Sequence, residues 1–267
     1  MSSWRSTAER CTHRLVLRRR LPPPFQQVRI HASSEGGLRY LKPRLTDVDP
    51  TLLSLVSEVV KPGAVVWDVG ANLGLFSFAS AVAAGPSGRV LAIEPDSWLV
   101  ALLRRSAVAN TQADVPQAEL APVEVLPVAV SDSFGVGRFH IARRNRSTSH
   151  LEGFGSTQTG GTRSTELVPT VTLDWLATHF PPPDVIKIDV EAAEALVLQG
   201  GPTILARRPV VICEVVAANA TLVRELLQPH GYVLYDGELP TGFRRPLGQA
   251  APTLLACPLA PVGQAQR

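Results

Sequence analysis

The sequence predicts an α/β domain built on a doubly wound, mostly parallel sheet of seven strands, and three observations predict it. Short apolar runs alternate with helically spaced ones from about residue 49 onward, the pattern of successive βα units. The first run, Val65–Val69, breaks into the turn Gly70-Ala71-Asn72-Leu73-Gly74 and resumes at once with helical spacing. A second run about twenty residues on, Arg89–Ile93, ends on Glu94-Pro95-Asp96. That sets an acidic side chain where a ribose hydroxyl pair lies in a nucleoside-binding βαβ unit.

Taken in order, residues 1–48 read as a basic, proline-containing arm with one hairpin, and residues 49–267 as the domain. Leu52, Leu53, Val56, Val59 and Val60 have helical spacing after Asp49-Pro50 and stop at Lys61-Pro62-Gly63; this helix is expected to cover the cofactor cleft. After Glu94, Leu99, Leu102, Leu103 and Val108 lie opposite Arg104 and Arg105, an amphipathic helix. Val123–Val130 is the third strand, leaving at Ser131-Asp132, where an adenine is expected. Gly135–Ile141 reads as a turn and a further strand. From about 142 to 166 the chain turns polar and arginine-rich, a loop insertion of functional length.

Order resumes at Val168–Leu176. Val185–Glu191 is an apolar strand carrying charge, and the helix after it stops at Gly200-Gly201. Pro209–Val215, a helix at Ala220–Leu227, and strands at Gly231–Tyr235 and Thr253–Cys257 complete the sheet.

At 267 residues and 45 % hydrophobic content the chain can bury one full core. All but three of its 26 basic residues are arginine, the exceptions being Lys42, Lys61 and Lys187, which reads as GC-rich coding and a bacterial source. A net charge of +3 calls for no nucleic-acid partner. Cys11, Cys213 and Cys257 are scattered and odd in number, so neither a disulfide framework nor a zinc knuckle is indicated and a cytoplasmic setting is expected. The patch Leu15-Val16-Leu17 is too short for a signal-peptide core, and no run approaches the roughly 20 apolar residues of a membrane span. A soluble protein is expected.

The glycines select the cofactor. A dinucleotide site wants G-x-G-x-x-G, so that a pyrophosphate can approach the backbone and a helix N-terminus; the spacing from Gly70 to Gly74 fails that pattern. Asn72 suits a position of positive φ. Asp68 would repel a pyrophosphate but tolerate an ammonium or sulfonium. The favoured cofactor is therefore S-adenosylmethionine, contacted by Asp68, Gly70, Asn72, Gly74, Glu94, Ser131 and Asp132. Asp68 read alone also fits a turn residue bonding its own loop amides.

These residues resemble the FkbM-type methyltransferases, a branch of the class I S-adenosylmethionine-dependent enzymes. The resemblance is carried by Asp68-Val-Gly-Ala-Asn-Leu-Gly74, Glu94-Pro95, Thr172-Leu-Asp174-Trp175, Lys187-Ile-Asp189-Val-Glu191-Ala-Ala-Glu194 and Cys213-Glu214-Val215. The family pattern usually has glycine where Ala192 stands. The resemblance implies a Rossmann-like class I sheet with one antiparallel strand near the C-terminus. It also implies methyl transfer, usually to a hydroxyl of a small metabolite, natural product or sugar.

In that strand order Asp189, Glu191 and Glu214 leave neighbouring strand ends on the cofactor side. Clustered carboxylates are costly unless something uses or neutralises them, and Lys187 can neutralise one. Methyl transfer needs an aligned acceptor and removal of a proton, which makes Asp189 the leading base, with Lys187 and Glu191 beside it. His140 and His150 are rival bases, and His150 and Glu214 are candidate acceptor contacts. A divalent metal on Asp189, Glu191 and Glu214 is a further way to quench the charge. Glu194 fits a site residue or a helix-surface residue equally. The arginines from Arg143 to Arg163 fit a solvated loop or an acceptor clamp. A nicotinamide-dependent dehydrogenase and a non-catalytic binding protein on the same fold are the alternative functions.

Overall fold

The computed structural model describes residues 15–42, 45, 48–111, 119–143, 145–156 and 161–259. Cys11, the arginines of residues 1–14, Arg144 and residues 157–160 of the polar stretch lie outside the described residues.

The basic segment at the start forms an antiparallel hairpin of β1 (Val16–Arg20) and β2 (Arg29–Ser33). It is seated on the domain: Leu21, Phe25, Val28, Ile30 and Ala32 are buried in one core with the helices Leu75–Ala84 and Ser97–Thr111. Asn110 fixes the docking, accepting from the Arg29 amide at 2.9 Å and donating to the Arg29 carbonyl at 2.8 Å.

Along the chain follow β3 (Val65–Val69), β4 (Arg89–Ile93), β5 (Val123–Leu126), β6 (Ala129–Val130), β7 (Gly135–Ala142), β8 (His150–Leu151), β9 (Thr162–Val171), β10 (Val185–Ile188), β11 (Val210–Glu214), β12 (Tyr232–Asp236) and β13 (Thr253–Pro258). The main sheet has seven strands in the order β12-β13-β11-β10-β3-β4-β5. Its strands are parallel from β11 to β5, and β13 runs antiparallel to both β11 and β12. The doubly wound sheet with one antiparallel strand near the C-terminus is thus the observed fold. Buried apolar clusters cover both faces, so β3 and β10 read as unbroken apolar runs apart from Asp68 and Lys187.

Two expectations change. The strand foreseen over Val123–Val130 divides at Pro127, which has no N–H for a ladder; β5 stays in the main sheet and β6 joins a second sheet of order β6-β9-β7-β8. The polar stretch 142–166 is not one loop, because β7 runs to Ala142 and β9 starts at Thr162, paired antiparallel through Ala142↔Thr162. The first four residues of β9, Thr162–Thr165, are exposed, so their polar composition mimics a loop.

Candidate active site

The site is built where β3 and β10 end side by side. Beyond β3 the chain turns through positive φ at Gly70 (77°), Asn72 (51°) and Gly74 (85°). Glycine is obligatory at 70, since a Cβ there would stand 1.9 Å from the Asp189 carbonyl oxygen. Under this turn lies Lys187, buried in β10. Its ammonium donates to the Gly70 carbonyl at 2.7 Å and sits 3.2 Å from Asp68 Oδ1 and 3.4 Å from Asp189 Oδ2. Burial alone would lower the Lys187 pKa, but Asp68, Asp189 and Glu214 outweigh it and raise it, so the side chain is a fixed cation.

At the end of β4, Glu94 is buried and joins two turns, accepting from the Asn72 amide at 2.8 Å and the Asp96 amide at 3.0 Å. Burial pushes its carboxyl up to about 8 against the pull of those amides. Past β10, Glu191 (φ 51°) and Ala192 (φ 73°) both adopt the left-handed conformation. Glu194 holds that turn, accepting from the Ala192 amide at 2.8 Å and from Asn219 Nδ2 at 2.8 Å; it is buried and lines the second of the two cavities at this site.

Two cavities open on these residues. The first, of about 430 Å³, is lined by Gly70, Asn72, Glu94, Asp189, Glu191 and Glu214 and by an apolar side of Val128, Val130, Phe139 and Leu151. The second, of about 370 Å³, shares Asp189, Glu191 and Glu214 with the first and adds Asp49, Thr51, Leu52 and Lys187. Burial, then the charges of Asp189 and Glu214, raise Glu191 to about 7. The Asp189 charge, then desolvation, raises Glu214 to about 7.

The structure therefore brings together Gly70, Asn72, Glu94, Asp189, Glu191 and Glu214. It keeps others away from the first cavity. Asp68 is fully buried and occupied by Lys187 and by the Ser77 hydroxyl at 2.5 Å. Gly74 starts the helix Leu75–Ala84 against Phe78 and Leu103. Ser131 and Asp132 are carried off by β6: the Ser131 amide donates to the Val171 carbonyl at 2.8 Å, and Asp132 is exposed. Val128–Val130 line the first cavity in their place.

His150 is buried beside Thr148 O (3.1 Å) and the His140 ring (5.5 Å), in neither cavity wall, and His140 pairs with Thr165 Oγ1 at 2.9 Å. Among the described residues no group of three His, Cys, Asp or Glu is placed to hold a metal ion, so the carboxylates of Asp189, Glu191 and Glu214 do not form the metal site considered from sequence.

The cover over the first cavity is also not the expected one. Helix Pro50–Val59 offers Thr51 and Leu52 to the second cavity, while Gly37, Arg39 and residues Asn145–Ser149 wall the first. Sequence reasoning missed Glu35 and Asp96, which hold that wall. The visible signal was Asp96 itself, but its partner Arg146 lies 50 residues away in the chain.

No curated protein matches the chain significantly. Among solved structures it is similar to methyltransferase FkbM from Methylobacillus flagellatus KT, with 15 % identity, 77 % of this chain and 50 % of that one covered, and a TM-score of 0.45. It is also similar to precorrin-6y C5,15-methyltransferase from Geobacter metallireducens GS-15 (14 % identity, 76 % and 84 % covered, TM-score 0.41). A third is a SAM-dependent O-methyltransferase from Thermotoga maritima (13 %, 79 % and 66 %, TM-score 0.37). The chain spans about half the length of the first of these. The family model described as the methyltransferase FkbM domain matches residues 68–234, from the buried Asp68 through the charged turn after β10 to β12. With well over half its length under that model, the chain belongs to the FkbM methyltransferase family.

Proposed function

We propose that the protein is an S-adenosylmethionine-dependent O-methyltransferase acting on a hydroxyl of a small metabolite, natural product or sugar. The observation that carries the reading is Asp189, whose residue walls both cavities at once. A donor in the first and an acceptor in the second would meet there.

The first cavity fits the cofactor. Gly70 and Asn72 of the turn after β3 line it, and Asn72 Oδ1 is buried with no partner among the described residues. Glu94 keeps lone pairs beyond its two amide bonds for ribose hydroxyls, and the apolar side suits a purine. When bound, the cofactor supplies an electrophilic methyl on a sulfonium. Asp189 accepts or orients the acceptor hydroxyl proton, and alignment at about 3–3.5 Å supplies much of the rate. Lys187 fixes the Asp189 side chain and the Gly70 turn relative to each other. Glu191 and Glu214 surround the acceptor side.

The test is a thermal-shift titration with S-adenosylhomocysteine, with NAD as control. At a hundredfold excess over Kd a single-site ligand adds about 2.7 kcal/mol. A rise with S-adenosylhomocysteine alone supports the reading, and a rise with NAD alone overturns it. Acceptor screening with radiolabelled cofactor then tests O-methylation.

A further inference from the structure

We infer that Arg146 is a positioning residue for the cofactor cavity, a fastener whose hold sets how fast a ligand leaves; the ligand named here rests on the cofactor reading above. The outer wall of the cavity comes from two segments far apart in the chain. One is the turn at Ser34–Leu41 after the hairpin, and the other is the turn at Asn145–Ser149 between β7 and β8. Neither is part of the main sheet. Something must hold them to it.

Arg146 does so through its Nε and Nη1 donors. Its Nη1 reaches both Asp96 oxygens, at 2.8 and 2.7 Å, and its Nε reaches Glu35 Oε2 at 2.6 Å. The guanidinium lies 5.2 Å from the Trp98 ring centroid, a cation–π distance. The Arg146 side chain is 11 % exposed and Asp96 is fully buried. Asp96 is itself anchored, since Oδ1 accepts from the Trp98 amide at 2.9 Å at the start of the helix Ser97–Thr111. Arg163 Nη1 also reaches Glu35 Oε2, at 2.8 Å, so two cations meet two carboxylates.

The fastened turn presses directly on the cofactor loop. A Cβ on Gly36 would come 2.4 Å from Leu73, and Asn72 Nδ2 donates to the Gly36 carbonyl at 3.3 Å. One guanidinium therefore connects the hairpin segment, the insertion and the end of β4 around a single cavity. A planar fork serves this geometry, and an ammonium does not.

The test uses the full chain and two substitutions, Arg146→Lys and Glu35→Gln, with S-adenosylhomocysteine as the probe. Stopped-flow dissociation and calorimetric stoichiometry are measured together with amide hydrogen exchange. For Arg146→Lys the expected result is full stoichiometry with release at least about tenfold faster. Exchange should rise over residues 145–151 but stay unchanged within Ser97–Thr111. A purely structural role would instead cost stoichiometry and melting temperature without faster release from the folded fraction. Release at the parent rate in both variants overturns the inference. If the parent binds no S-adenosylhomocysteine, the cofactor reading has failed separately, and the fastener is judged by exchange: unchanged protection over 145–151 in Arg146→Lys overturns it.

Discussion

Lys187 and Gly70 are joined by a 2.7 Å hydrogen bond from ammonium to carbonyl, which ties the charged end of β10 to the turn that leaves β3. The same ammonium is the counter-ion of the fully buried Asp68. Replacing Lys187 with Met leaves that carboxylate uncompensated and is expected to cost about 3–5 kcal/mol, read by urea unfolding. Lys187→Arg should recover little, because the fork cannot reproduce a point contact to one carbonyl.

Ala192 holds φ 73° directly after Glu191 at 51°, a conformation that costs a non-glycine residue about 1–2 kcal/mol. Ala192→Gly should stabilise the protein by about 1 kcal/mol, raising Tm by roughly 2–4 °C at this size. A lower Tm would show that the left-handed turn carries no such strain.

Glu94 carries the pH prediction. Burial raises its folded pKa to about 8 from an ordinary value of 4.5, so the folded state binds the extra proton between those values. The favourable contribution is fully present below pH 4.5 and is lost as pH rises through about 8. Glu94→Gln removes the titration, and its Tm should fall less steeply than the parent's from pH 5 to pH 8.5. Parallel slopes would mean that Glu94 ionises normally.

Asp189 and Glu94 should separate turnover from binding. Asp189→Asn is expected to lower kcat by about 10²–10⁴-fold with S-adenosylhomocysteine affinity nearly kept. Glu94→Ala should weaken that affinity by about tenfold or more, since it strips acceptors from two backbone amides as well as from the ribose. An Asp189→Asn enzyme with the parent's kcat removes Asp189 from the chemistry.

Much of the fold was legible because its signals are local. The β3 turn announced itself through Gly70, Asn72 and Gly74, all three of which take positive φ. The apolar runs of β10 and β11 carried Lys187 and Glu214 to one end of the sheet by strand order alone. Interactions that join distant segments were not legible. Glu35 meets Arg146 from 111 residues away, and no spacing rule links them. Ile30 and Ala32 alternate as a strand should, and one hairpin was expected in the arm, but no local pattern says that its apolar face docks on the helices Leu75–Ala84 and Ser97–Thr111. Pro127 was visible, but that Ala129–Val130 join another sheet and carry Ser131 and Asp132 away with them depends on β6 finding β9. His150 drew notice as a titratable group in a polar stretch and proved to be packed against its neighbours.

The bond between Lys187 and Gly70 spans 117 residues of chain. During synthesis at about 5–20 residues per second, Asp68 and the Gly70 turn are therefore made roughly 6–23 s before Lys187. For that interval a carboxylate that ends fully buried has no lysine to pair with, and β3 cannot settle at the centre of its sheet. The nascent chain must keep this segment hydrated until β10 arrives, so a ribosomal pause between the two strands would lengthen its exposure to chaperones and proteases.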